Sequence, residues 1–229
     1  RDETFWGCSS LTSITLPDGI TSIGERVFRN CSSLTSIPLP DGLLSIDSYG
    51  FSGCTSLETI TLPDGLTSLG ERVFRNCSAL TSITIPDAVT SIGTSAFSGC
   101  TSLTAVTITL SSAITSIGSE TFYNCSSLAS IFIPESVTSI GGSAFRNCSS
   151  LTSISIPDAV TTIGNSAFED CSLLTSVTLG SGITSVGKDA FYNCKSLTSI
   201  IIPDGITTIG DSAFESCIEL SSVTIGSGI

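Results

Sequence analysis

The chain has 229 residues, 40% of them hydrophobic and only 12% charged, with a net charge of −12, eight Lys plus Arg and no His. So few cations exclude a nucleic-acid or anionic-membrane partner that needs clustered positive charge, and the lack of His removes a His-based triad or general base. No apolar run approaches the ~18 residues needed to span a bilayer.

A repeat dominates the chain. Cysteines stand at 8, 31, 54, 77, 100, 125, 148, 171, 194 and 217, at intervals of 23 with a single interval of 25. Phenylalanine keeps the same beat from Phe5 and Phe28 through Phe97 and Phe122 to Phe214, without a gap. A fixed period of this size is the signature of a solenoid. Within one repeat, Ser13–Leu16 alternates outward hydroxyls with inward aliphatics and reads as a short strand. Pro17 ends it, because proline has no donor for a ladder, and Asp18-Gly19 turns the chain. Ile20–Ile23 is a second extended piece, Gly24 turns again, and Glu25–Cys31 reads as a helical or 3₁₀ turn that drops Phe28 inward. The long interval falls where Thr107–Thr115 gains two residues and loses the proline, an insertion near 109–113.

One coil cannot bury its seven apolar side chains alone, whereas stacked coils shelter one another. The expectation is a right-handed superhelix of about ten 23-residue coils with a parallel sheet. Its rungs are ~4.8 Å apart and its length is roughly 50 Å. Residues 1–229 read as a single solenoid. Arg1 and Ile229 both lie inside repeats, so the chain reads as a piece of a longer array. Its uncapped ends invite self-association.

The motif L-x-x-I-x-L-P-x-x-I-x-x-I-G-x-x-A-F-x-x-C, seen cleanly at residues 80–100, resembles the BspA-like (Treponema pallidum-type) leucine-rich repeats over essentially the whole chain. The resemblance implies a secreted or cell-surface adhesion protein and carries no catalytic residue to transfer. Departures are Asp47 in place of the turn glycine, and Gly180-Ser181 and Gly226-Ser227 in place of Pro-Asp.

Candidate sites are rows. The outward row after Phe varies where other rows are monotonous: Trp6, Arg29, Ser52, Arg75, Ser98, Tyr123, Arg146, Glu169, Tyr192, Glu215. It concentrates the residue types that dominate interface hot spots, although a solvated face without selection would also vary. Phe132 and Ile201 add large apolar groups to a strand row of threonines. Asn30, Asn76, Asn124 and Asn147 each begin N-C-S, a glycosylation acceptor in a eukaryotic secreted protein, and the motif also arises automatically from the Cys ladder. The carboxylates Asp18, Asp41, Asp64, Asp87, Glu135, Asp158 and Asp204 could supply calcium oxygens, yet one per coil after Pro suits a turn residue better. The cysteines read as free, small core residues, because stacked thiols point in parallel and bridging needs a twist at each step. Zinc has no His to use and no tetrahedron along a ladder. These features point to an extracellular scaffold, not an enzyme, without cofactor or metal, that presents residue rows to a protein or glycan ligand such as host matrix or another cell surface. A filament or coat built by self-assembly is the alternative. Ice binding through the Thr rows is a third reading, which β-propensity alone also explains.

Overall fold

The computed structural model describes residues 2–108 and 113–227. The insertion near 109–113 therefore lies, apart from Ala113, outside the described residues. The chain winds into a parallel-strand solenoid in which every strand register is offset by one repeat. Ser22–Ile23, Ser45–Ile46, Ser68–Leu69 and Ser91–Ile92 form one ladder, pairing Ile23 with Ile46, Ile46 with Leu69 and Leu69 with Ile92. Five further two-residue strands, from Ser116–Ile117 to Thr208–Ile209, continue it after the insertion. The longer strands pair alongside: Ser82–Ile85 with Ala105–Ile108, Ser153–Ser155 with Ser176–Thr178, and Ser199–Ile202 with Ser222–Ile225. Their burial alternates as the letters do, with Ile83 and Ile85 inside and Ser82 and Thr84 outside. A shift of one residue would reverse that pattern, so the register is strongly specified.

The core is one continuous cluster built from ladders of like residues. Successive phenylalanine rings stack at 5.1–5.6 Å between centroids and within 15° of parallel, from Phe5 to Phe214. Phe28 to Phe191 are fully buried, while Phe5 and Phe214, in the outermost coils, are partly covered.

The segment expected to be helical is not: among the described residues Glu25–Asn30 and its equivalents form runs of turns, and no helix occurs. Two residues per coil adopt positive φ, for example Arg26 (56°) and Asn30 (61°), which a right-handed helix cannot contain. The amides of Arg26, Phe28 and Asn30 instead donate to the carbonyls of Ser48, Gly50 and Ser52 in the next coil, at 2.7–3.0 Å. Amides of Arg29 and Cys31 close tight turns onto Arg26 and Phe28. A left-handed residue costs roughly 1–2 kcal/mol. The inner coils offset that cost by pairing most amides of this segment, about half of them to the neighbouring coil.

All ten cysteines are free, and all but Cys8 are buried. Each buried thiol donates to the carbonyl of the phenylalanine in the preceding coil at 3.1–3.2 Å, as Cys100 does to Phe74. That bond explains why a thiol and not a methyl repeats here. Burial raises the thiols above their ordinary range, Cys54, Cys100 and Cys148 to about 12. Since the thiolate is the reactive form, a disulfide reagent at pH 8 is expected to label one thiol per native chain, Cys8, and ten after denaturation. Rapid labelling of several thiols in the native protein would show that the ladder is open.

Candidate ligand-binding surface

The turn segments form one edge of the solenoid, and the row after Phe lies along it. The edge is stiff because its backbone is tied coil to coil by the ladder just described. Arg75 is exposed, Arg29, Tyr123, Arg146, Glu169 and Tyr192 are half-buried, and Glu215 is exposed beside the hydroxyl of Ser212. Trp6 is 48% exposed. Ser52 and Ser98 are buried, so the row dips on either side of Arg75.

The structure adds a second row that sequence reasoning missed. Arg26, Tyr49 and Arg72 stand at the first left-handed position of successive coils. Their guanidiniums lie 5.3 and 5.4 Å from the centre of the Tyr49 ring, and that of Arg29 lies 5.0 Å from it and 5.4 Å from the Trp6 ring. Arg72 also donates to the Tyr49 hydroxyl, which raises the Arg72 pKa further. The signal was available, since Tyr49 is flanked at one repeat on each side by arginines, but it sits two residues before Phe51, outside the row that had drawn notice. The arginines then divide. Arg26 pairs with Glu3 at 3.0 Å and Glu25 at 2.9 Å, and Arg72 with Glu71 at 2.7 Å. Among the described residues, Arg29 and Arg75 have no carboxylate partner. Further along, Arg146 pairs with Glu169 at 2.8 Å, and the row turns acidic towards Glu215.

Other candidates fall elsewhere. Phe132 (40% exposed) and Ile201 (67% exposed) lie on the sheet face, away from this edge. There, Pro38 removes a ladder donor, and an open groove lined by Ser36, Thr59, Thr61 and Thr84, with Asp41 and Asp64 at its margin, runs across the neighbouring coils. The hydroxyls of Thr67, Thr90, Thr138, Thr161, Thr184 and Thr207 donate to carbonyls of the preceding coil at 3.0–3.4 Å, so they serve the stack itself. Asn30, Asn76, Asn124 and Asn147 occupy the second left-handed position, shared with Gly7, Gly53 and Gly99. Asn and Gly tolerate that conformation best, which accounts for asparagine there independently of any modification. Of the acidic row, Asp158 and Asp204 accept from the amide and hydroxyl of Ser181 and Ser227 in the following coil. Those bonds, the amide first, hold Asp158 below its ordinary carboxylate range. They also explain the two Gly-Ser departures: serine replaces the next aspartate where the preceding one caps its turn. No group of three His, Cys, Asp or Glu suited to a metal occurs among the described residues, and they contain no helix long and apolar enough to cross a membrane.

Known proteins share this architecture. The profile of the BspA type leucine rich repeat region matches residues 1–126 and 115–229, in six copies. A leucine-rich repeat protein from Bacteroides ovatus is 28% identical, with a TM-score of 0.59, covering 97% of this chain and 81% of its own. The T. pallidum leucine rich repeat protein is also 28% identical, with a TM-score of 0.56 over 81% of this chain and 78% of its own. The pneumococcal vaccine antigen PcpA, 23% identical with a TM-score of 0.59 over 95% of this chain and 73% of its own, shares the fold. No curated protein is similar enough in sequence to match. The repeat, its ladders and these matches agree, and the chain belongs to the BspA-type leucine-rich repeat family.

Proposed function

We propose that this protein is an extracellular or cell-surface binding scaffold whose turn edge engages a protein or glycan ligand, on host matrix or on another cell. The observation that carries this reading is the contrast between monotonous rows and one variable edge. Aromatic and arginine side chains gather on that edge, and the backbone beneath them is held by inter-coil bonds. Preorganised anchors of these types lower the ordering cost of binding. Family membership supports a scaffold role in place of chemistry, and the carboxylates of the acidic row stand one per coil on a solvated margin.

The test is saturable binding of the purified protein to cells and to matrix-coated surfaces. Replacing Trp6, Tyr123 and Tyr192 by alanine is expected to weaken it at least ten-fold while leaving the circular dichroism spectrum unchanged. Undiminished binding by that folded triple variant would move the site off this edge, and no binding to any matrix or cell would remove the adhesion reading.

A further inference from the structure

We infer that the unpaired arginines Arg29 and Arg75 form a two-pronged clamp for an acidic polysaccharide carrying one carboxylate or sulfate per disaccharide. The inference rests on the edge being a binding surface and names the class of ligand taken there.

The argument starts from a duplication. Residues 20–37 and 66–83 differ at only three positions, and both contain Glu-Arg-Val-Phe-Arg-Asn-Cys. Each copy supplies one arginine neutralised by adjacent glutamates, Arg26 or Arg72, and one without a carboxylate partner, Arg29 or Arg75. The copies are two coils apart, so the two open guanidiniums are rooted ~10 Å apart along a straight row. Between them, in the intervening coil, lie the buried Ser52 and its neighbour Gly53, with the Tyr49 ring against Arg29 to one side, so a low step separates the half-buried Arg29 from the exposed Arg75. Arg29 is held in place by the Trp6 and Tyr49 rings, and a planar guanidinium receives a carboxylate or sulfate through paired hydrogen bonds. A polymer with one anion on every second sugar places its charges at the prongs and its uncharged sugar over the step, and the half-exposed indole of Trp6 offers an apolar face to the next ring.

Two features favour a saccharide over an acidic peptide. Backbone amides along this edge are already bonded, to the next coil or within their own turn, so a peptide strand finds no ladder to extend. The step itself is small and polar, with no pocket for a side chain. The overall charge of −12 does not forbid an anion here. Most carboxylates outside this edge stand on the turn after proline, and charges beyond the ~8 Å screening length of physiological salt contribute little at contact.

The experiment is calorimetric titration of the intact protein with hyaluronan, unsulfated chondroitin, neutral dextran and poly-glutamate, at low and physiological salt. Hyaluronan or unsulfated chondroitin is expected to bind and dextran not, with affinity falling as salt rises. Arg29→Ala with Arg75→Ala is expected to weaken binding at least ten-fold, and Lys188→Ala with Lys195→Ala, on distant coils, to change it less than two-fold. Equal binding by the double arginine variant overturns the inference, and so does a preference for poly-glutamate. Treating target cells with hyaluronidase and chondroitinase separates the two proposals. Loss of cell binding supports the clamp, and undiminished binding overturns the clamp while the scaffold reading stands.

Discussion

Replacing Phe97 by alanine is expected to destabilise the protein by about 3–5 kcal/mol, the usual cost of emptying a buried aromatic site. The ring is fully buried and stacked on Phe74 at 5.6 Å and Phe122 at 5.5 Å, so its loss removes two stacking contacts and leaves a void inside a ladder. Neither neighbour can close the gap, because the backbone of each is fixed between coils, Phe74 by its amide on the Ala96 carbonyl and Phe122 by its amide on the Ala144 carbonyl. Phe5→Ala, at a half-buried end position with one stacking partner, is expected to cost less than half as much. Urea denaturation followed by circular dichroism measures both. Equal losses at the two positions would mean that the stack is not the source of stability.

Alkali is expected to unfold the protein steeply just above pH 9. In the unfolded chain the thiols ionise near their ordinary 9.0, whereas the folded stack keeps Cys54, Cys100 and Cys148 protonated to about 12, chiefly because burial disfavours the thiolate. Cys77, Cys125 and Cys171 are pushed in the same direction, again by burial first and by their neighbours in the ladder second. The sign follows: unfolding releases protons, so the stabilisation is complete below pH 9 and is lost as pH rises towards the folded values. Each thiol contributes about 1.4 kcal/mol per pH unit in that window. Cys54, Cys100 and Cys148 alone then remove roughly 4 kcal/mol per unit, and the other buried thiols of the ladder add to the loss in the same direction, against the ~5–15 kcal/mol stability of an ordinary domain. A pH titration monitored by circular dichroism should show the transition between about pH 9 and 10.5. A spectrum unchanged to pH 11 would contradict it. Cys100→Ala with Cys148→Ala should make the transition shallower.

Much of this fold was legible in the letters because identical environments repeat. Phe at every twenty-third residue announces a buried stack, proline marks the strand end, and alternation at Ser82–Ile85 predicts which side chains face inward. The turn segment was misread because helix and left-handed turn place the same apolar residues inward. Position 30 carried a clue, since Asn and Gly dominate there, but position 26 is Arg, Tyr, Ser, Glu or Asp in different coils and advertises nothing about φ. The edge proposed as the binding surface was half legible for a related reason. The variable row could be found by its variation, whereas the partnering of Arg26 and Arg72 by glutamate, which singles out Arg29 and Arg75, depends on which side chains meet across coils.

The coil-to-coil bonds have an evolutionary corollary. Along the stack the same amides, thiols and hydroxyls of each inner coil reach the coil before or after it, and those neighbours offer the same acceptors whichever coils they are. Gene slippage between near-identical stretches such as 20–37 and 66–83 therefore adds or deletes whole coils while each inter-coil donor finds the same kind of acceptor. A lineage carrying this architecture can lengthen, shorten or shuffle its displayed edge while the interior chemistry stays untouched.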